Sequence, residues 1–135
     1  METDVNLDWV TTRANCNTKR VFHEIRDEVE QDVKTRNSFI TERQRADCVG
    51  FLFEPKDGDS FAVIRNGAGI VSRITFKCDA STITVWDGDG KKSVEAKLTL
   101  TDAGECMLAI GKEELAHWQF RRRALQDLFF NFLVG

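Results

Sequence analysis

Between residues 49 and 110, short apolar runs alternate with turn signals, and no other feature of the sequence limits the fold as strongly. The turns recur every eight to twelve residues, and several contain the Asp-Gly or Asn-Gly pairs that suit tight hairpins. In the clearest run, residues 93–100, every second side chain is apolar. This period of two is typical of strands in an antiparallel meander with one solvated face. The sequence therefore predicts about six antiparallel strands within residues 49–110.

The segment before the strands has the spacing of a helix. Its apolar residues recur at intervals of three or four: Phe22, Ile25, Val29 and Val33. This spacing places them on one face of a helix, and residues 15–18 are rich in side chains that cap helix N-termini. We predict a long helix over residues 18–34. Residues 35–48 fit a continuation of this helix, a second short helix or a solvated connector.

A second long helix is predicted over residues 112–132. Its apolar residues again follow helical spacing: Leu115, Trp118, Leu125, Leu128, Phe129 and Phe132. Glu113 and Glu114 fall in its first turn, where carboxylates interact favourably with the helix dipole. Because the segment is rich in aromatic residues, we expect this helix to close the apolar face of the sheet, with Trp118 and Phe129 as core residues.

Residues 5–10 alternate apolar and polar side chains, which indicates a short strand or an extended arm. A strand here makes the element order strand, helix, six strands, helix. That order resembles the helix-grip architecture of small ligand-binding proteins, in which a curved sheet wraps a long C-terminal helix. The resemblance covers element order alone. A capped sheet or partial barrel of the pleckstrin-homology kind is the alternative, with the first helix as an addition.

The length of the chain favours a single α+β domain over residues 1–135, since most domains contain about 100–150 residues. The ten Phe and three Trp residues argue against disorder. No stretch approaches the roughly 20 apolar residues of a membrane span. Because the formal charge is −3 and no segment is strongly basic, nucleic-acid binding is not expected.

The cysteines and the first residues together predict a cytoplasmic protein. The acidic, polar start of the chain lacks the positive and apolar stretches of a secretory signal. The four cysteines, Cys16, Cys48, Cys78 and Cys106, lie about 30 residues apart, and without that signal we interpret them as free thiols. Cys78 and Cys106 fall on apolar strand faces, where we expect them to be small core residues.

No local motif predicts a cofactor or a metal. The Asp-Gly-Asp-Gly turn at 87–90 begins like a calcium loop but lacks the later ligands, so we interpret it as a hairpin turn. The Gly-Ala-Gly segment at 67–69 opens no helix, unlike a phosphate-binding loop. The two histidines, His23 and His117, occur without Cys-x-x-Cys or His-x-x-x-His spacing. We therefore expect no metal site and no cofactor.

Three apolar residues are candidates for an interface: Trp86, Phe130 and Leu133. Trp86 lies on the predicted polar face of the fourth strand. If both helices cover the other face of the sheet, Trp86 is exposed and marks an interface; if they cover opposite faces, it is a core residue. Phe130 and Leu133 belong to a C-terminal segment that is apolar on all sides, so it either inserts into the core or meets another chain.

Arg121, Arg122 and Arg123 form a basic run. On a helix three consecutive residues point in different directions, so the three side chains cannot all face the same partner. Contact with an anion or an acidic partner is one interpretation of the run. A solvated helix face with ion pairs to Asp127 or Glu114 is the other.

No constellation of catalytic residues is recognisable in the sequence. We therefore favour a non-catalytic binding or adaptor module, which self-associates or binds a protein partner, over an enzyme. The second hypothesis is a carrier or sensor of an apolar small molecule, enclosed by the sheet and the Phe-rich helix of a helix-grip-like fold. An enzyme is the third hypothesis, and it would use scattered Asp, Glu, His or Cys residues that the sequence does not bring together.

Overall fold

A computed structural model of the chain describes residues 6–40, 50–67 and 70–130. Two helices come first, α1 (Trp9–Asn15) and α2 (Thr18–Ser38). Seven strands follow in the described part of the chain: β1 (Gly50–Pro55), β2 (Ser60–Gly67), β3 (Ile70–Cys78), β4 (Ile83–Trp86), β5 (Lys92–Leu100), β6 (Cys106–Ile110) and β7 (Glu113–Leu115). A third helix, α3 (His117–Phe130), comes after the strands.

The strands form one antiparallel sheet in which each strand pairs with its neighbours in sequence, from β1 to β7. The predicted α+β fold with a meander sheet is therefore confirmed. The register places apolar residues side by side on one face: Phe61 lies opposite Phe76, and Phe76 lies opposite Val85. Such cross-strand neighbours pack directly against one another and create the apolar face that the helices cover.

Helices α2 and α3 pack beside each other on this one face of the sheet. Aromatic rings connect the two layers: Phe22 lies beside Phe61, Phe120 beside Phe76, and Phe129 beside Phe51. Within the sheet, the rings of Phe61 and Phe76 are stacked with their centres 4.6 Å apart, and both side chains are fully buried. A cluster of phenylalanine rings therefore fills the space between the sheet and the two helices.

Helix α2 begins where the sequence predicts and continues to Ser38. The side chain of Asn17 caps its start by accepting a hydrogen bond from the Arg20 N–H at 2.9 Å. The predicted apolar stripe is buried, and Ile25 and Val29 have no exposed surface. Of the alternatives for residues 35–48, continuation of the helix is therefore right as far as Ser38. Residues 41–49 lie outside the described residues.

The strand predicted over residues 5–10 does not form where the structure describes this segment, and the alternative of an extended arm is left only for residues 6–8, which precede the first helix. Trp9 and Val10 begin α1, and the Asp8 carboxylate caps this helix by accepting from the Thr11 N–H at 3.1 Å. A capping aspartate favours a helix start, and the alternation of apolar residues is too short here to outweigh it. Residues 6–15 therefore lack the leading strand that the helix-grip order requires.

The helix predicted over residues 112–132 begins later, at His117, because Glu113–Leu115 forms the additional strand β7. Gly111 has a φ of +61°, which glycine adopts readily, and it turns the chain into a two-residue hairpin between β6 and β7. The prediction that Glu113 and Glu114 occupy a first helical turn is therefore wrong. Three residues are too few to show a strand period, and Lys-Glu-Glu-Leu has good helix propensity.

The core-facing side of α3 also differs from the prediction. Phe129 is buried as expected, but Trp118 is 55 % exposed, and the fully buried aromatic residue is Phe120. The predicted stripe combined Leu115, which belongs to a strand, with residues of the helix. That combination placed Trp118 on the wrong side of α3.

Cys16 and Cys106 form a disulfide, with their Cα atoms 5.5 Å apart. The prediction of free thiols is therefore wrong for this pair, and Cys106 is not a simple core thiol. Cys78 is free and half-buried, and Cys48 lies outside the described residues. The disulfide joins residues separated by 90 positions. A crosslink over such a loop stabilises the fold by about 4–5 kcal/mol when its effect on the unfolded chain is treated as entropic.

Candidate functional site

A groove of about 530 Å³ lies between α2 and α3. Its main lining residues, which define what we call the aromatic groove, are Arg36, Phe39, Trp118, Leu125, Phe129 and Phe130. The groove exists because the two helices lie next to each other on the same face of the sheet. Its volume falls within the range of about 300–1,000 Å³ that is usual for binding pockets.

Among the described residues, three exposed aromatic side chains lie at the rim of the aromatic groove. Phe39 is 68 % exposed, Trp118 is 55 % exposed and Phe130 is 63 % exposed. Leu125 and Phe129 are buried and belong to the core. Single exposed apolar residues are ordinary, but a group of them around one groove is the kind of surface to consider as a binding site. This grouping makes the groove the strongest candidate site in the described residues.

Arg36 ties α2 to the last turn of α3. Its Nε donates to the backbone carbonyl of Phe129 at 2.9 Å, and carbonyls in a last helical turn lack donors from their own helix. Its guanidinium lies 5.2 Å from the Phe51 ring centre and 4.8 Å from the Phe130 ring centre. Because cations are attracted to aromatic faces, the buried Arg36 positions the Phe130 ring at the rim.

Arg121 makes a second connection between the two helices. Its Nε donates to Asp32 at 2.7 Å, and one of its terminal nitrogens donates to Glu28 at 3.0 Å. Glu28 also lies 3.6 Å from Nδ1 of His117. The charge of Arg121 is therefore balanced by two carboxylates of α2, and its main role in this geometry is to hold the walls of the groove together.

The other two arginines of the basic run point elsewhere. Arg123 donates to both carboxylate oxygens of Glu113, at 2.8 and 3.0 Å, and this guanidinium holds the pKa of the Glu113 carboxyl below its ordinary value. Arg122 donates to Gln126 at 2.8 Å and is exposed beside the groove. The anion or acidic-partner contact stays a prediction, and Arg122 is the member of the run best placed for it.

Trp86 lies on the outer face of the sheet, since both helices cover the other face. Its Nε1 donates to the Thr84 hydroxyl at 2.9 Å, and the ammonium of Lys77 lies 5.1 Å from its ring centre. These neighbours leave the ring half-buried. The structure thus does not bring Trp86 and Phe130 together, and Leu133 lies outside the described residues. The interface role of Trp86 stays a prediction.

Sequence reasoning missed Arg36 and Phe39 as site residues and assigned Trp118 to the core. One signal for Arg36 was present, because it follows Val33 by three residues and so extends the apolar stripe of α2. A buried arginine needs partners that compensate for its lost hydration, and α3 supplies one of them. Phe39 and Trp118 share a groove only because α2 and α3 are neighbours, which no local pattern reveals.

The chemistry of the aromatic groove suits binding. Its acidic side chain, Asp32, is paired with Arg121. Within residues 6–40, 50–67 and 70–130, no three His, Cys, Asp or Glu side chains are grouped closely enough to hold a metal ion. In the same ranges no helix combines the length and apolar character needed to cross a membrane.

Comparisons with protein-family models, curated proteins and solved structures found no match to this chain.

Proposed function

We propose that this chain is a non-catalytic binding module that self-associates through the aromatic groove. The observation that carries the proposal is the grouping of three exposed aromatic side chains, Phe39, Trp118 and Phe130, around one groove. Aromatic residues and arginine are enriched at the centres of protein interfaces. The aromatic groove has this composition, with Arg36 positioning one ring and Arg122 beside it.

A second copy of the chain is the occupant that the shape of the groove favours. A twofold interface uses the same patch on both partners, so that patch must contain both protruding and recessed surface. Here the protruding rings of Trp118 and Phe130 adjoin the hollow that they line. The ring of one copy can therefore enter the hollow of the other while the reverse contact forms at the same time.

The free energy gained by burying the rings, compared with the cost of association, favours a reversible dimer over a permanent one. If each exposed ring loses roughly 100 Å² of accessible surface, the six rings of a dimer lose about 600 Å², which is worth about 15 kcal/mol. Association costs about 4–15 kcal/mol in lost translational and rotational freedom. Because the two quantities are of similar size, we expect a dimer that dissociates on dilution.

Sedimentation equilibrium across the micromolar concentration range tests the proposal. We expect the unmodified chain to dimerise, and Trp118→Ser and Phe130→Ser to remain monomeric at the same concentrations. Val71→Ser is the matched control, because Val71 is equally exposed at 64 % but belongs to β3, away from the groove. A chain that stays monomeric throughout, or groove variants that dimerise as well as the control, would overturn the proposal.

A carrier of an apolar small molecule is the second candidate function, and the groove volume of about 530 Å³ favours it. The ligand would lie between α2 and α3, rather than between the sheet and a helix as the helix-grip comparison implied. Native mass spectrometry of protein purified without added ligand separates the two candidates. Bound mass that Trp118→Ser abolishes supports the carrier, and a dimer without added mass supports self-association.

The cytoplasmic location stays a prediction, and the Cys16–Cys106 disulfide weighs against it. Disulfides persist mainly in oxidising compartments, since cytosolic thiols are kept reduced. Thiol labelling of the protein in intact cells, followed by mass analysis, measures the fraction of Cys16 that is oxidised. A fully reduced Cys16 would favour the cytoplasm.

A further inference from the structure

Helix α1 contributes no side chain to the core. None of its seven residues is buried, and Trp9 and Val10 are 66 % and 59 % exposed. The Asp8 carboxylate caps its start, the Arg13 side chain donates to the Cys16 carbonyl at its end, and Asn15 accepts from Arg20, in the first turn of α2, at 3.3 Å. These bonds do not hold the helix against the sheet.

In the described part of the chain, two features attach residues 6–16, which we call the N-terminal arm, to the strands. The Cys16–Cys106 disulfide joins the arm to β6, and Cys16 is only 3 % exposed. Leu7 lies over the turn between β5 and β6, with its Cδ2 just 2.6 Å from the position that a Cβ would take on Gly104. Leu7 is still 43 % exposed, so this contact is partial and the covalent bond is the main attachment.

Helix α2, in contrast, is attached to the molecule by its own side chains. It begins at Thr18, immediately after its cap Asn17, and buries Val21, Phe22 and Ile25 in the core. Each such side chain contributes roughly 1.5–3 kcal/mol when it is fully buried. Loss of the disulfide therefore leaves α2 on the sheet and affects the residues that precede it.

We infer that the Cys16–Cys106 disulfide attaches the N-terminal arm to β6 reversibly. A dithiol reductant reduces this disulfide and releases the arm. One thiolate of the dithiol attacks a sulfur of the disulfide and forms a mixed disulfide, and its second thiol then displaces the protein sulfur. The S–S bond between Cys16 and Cys106 breaks, both cysteines become thiols, and the reductant leaves as its own disulfide. In the reduced protein the arm separates from β6, while α2, α3 and the sheet stay folded.

Limited proteolysis of the full chain with trypsin tests the inference, because Arg13 lies within the arm and is exposed. Intact-mass analysis follows cleavage after Arg13 with and without dithiothreitol. We expect the reductant to raise the rate of this cleavage by roughly tenfold or more, since cleavage follows the population of locally open chain. Cys106→Ser should be cleaved rapidly in both conditions, and Cys78→Ser is the control that keeps the disulfide.

Cleavage after Arg65 in β2 and Lys77 in β3 monitors unfolding of the sheet in the same digest. We expect these two sites to stay protected in the reduced protein. Equal rates at Arg13 with and without the reductant would overturn the inference, because the arm would then be held by its other contacts. Simultaneous cleavage at Arg13, Arg65 and Lys77 would also overturn it, because the disulfide would then support the whole fold.

Discussion

The side-chain amide of Asn37 pairs with both backbone groups of Phe51. Its Nδ2 donates to the Phe51 carbonyl and its Oδ1 accepts from the Phe51 N–H, each at 2.9 Å. A further strand beside β1 would make these same bonds, and Pro55 has no N–H to offer at the other end of the strand. An edge protected in this way resists strand addition. Addition of a strand from another chain along β1 is therefore disfavoured at Phe51.

Replacing Asn37 with Ala removes both bonds to Phe51. We expect the free energy of unfolding to fall by about 1–3 kcal/mol, the usual effect of losing partners for partly buried polar groups. Urea denaturation monitored by tryptophan fluorescence measures the change. Gln31→Ala, at an exposed position of the same helix, should leave the midpoint nearly unchanged. A midpoint for Asn37→Ala equal to that of this control would show that water replaces the amide at the edge.

Substitutions on opposite sides of α3 test which residues face the core. Phe120→Ala should lower the free energy of unfolding by about 3–5 kcal/mol, because it opens a cavity against Phe76. Trp118→Ala should lower it by no more than about 1 kcal/mol, because most of its ring is exposed. Both values are measured by denaturation at a concentration where the chain is monomeric. A larger loss for Trp118→Ala than for Phe120→Ala would contradict the observed orientation of α3.

Asp79 organises the turn between β3 and β4 and makes stability depend on pH. Its Oδ1 accepts from the N–H groups of Ser81 and Thr82, at 2.9 and 2.8 Å, and its Oδ2 accepts from the Thr82 hydroxyl at 2.8 Å. These bonds, the one from the Ser81 N–H foremost, lower the pKa of the Asp79 carboxyl from its ordinary value. The unfolded chain therefore takes up the proton more readily than the folded one.

The contribution of Asp79 to stability is accordingly present above the unfolded pKa of about 4 and is lost as the pH falls through the lower, folded pKa. Asp79→Asn does not titrate at this position. We expect the unmodified protein to lose more stability than Asp79→Asn when both are taken from neutral pH to about pH 3. Urea midpoints at the two pH values measure this difference. Equal losses for the two proteins would show that other carboxyl groups carry the acid sensitivity.

The strands were predictable because their signal is local. β3, Ile70–Cys78, lies within the segment predicted to form strands, since alternating side chains and the turn at Asp79 occur within a few residues of each other. β7 was missed because three residues carry no period, and its existence depends on pairing with β6. Missing β7 also led to the wrong orientation for Trp118. Which way Trp118 points depends on where α3 begins, and the predicted helix began too early.

The candidate site was predictable only in part. Phe130 was identified from the apolar C-terminal segment and the basic run from three consecutive arginines, and Phe130 does lie at the groove. Arg36 and Phe39 were missed because their importance depends on contacts with α3 and on the packing of two helices far apart in the chain. A residue that looks like a connector position in sequence becomes a rim residue once a second helix lies beside it.

The amino-acid sequence by itself determined the α+β class, the meander and the long helix that precedes it, because hydrophobic period and turn chemistry act over a few neighbouring residues. Tertiary structure alone decided that Cys16 meets Cys106 across 90 positions, and that both long helices cover one face of the sheet. The disulfide and the aromatic groove are products of that packing. The residues that form them are distant in sequence and are brought together by burial of a shared phenylalanine core. Such burial depends on three-dimensional neighbours and leaves no local pattern in the chain.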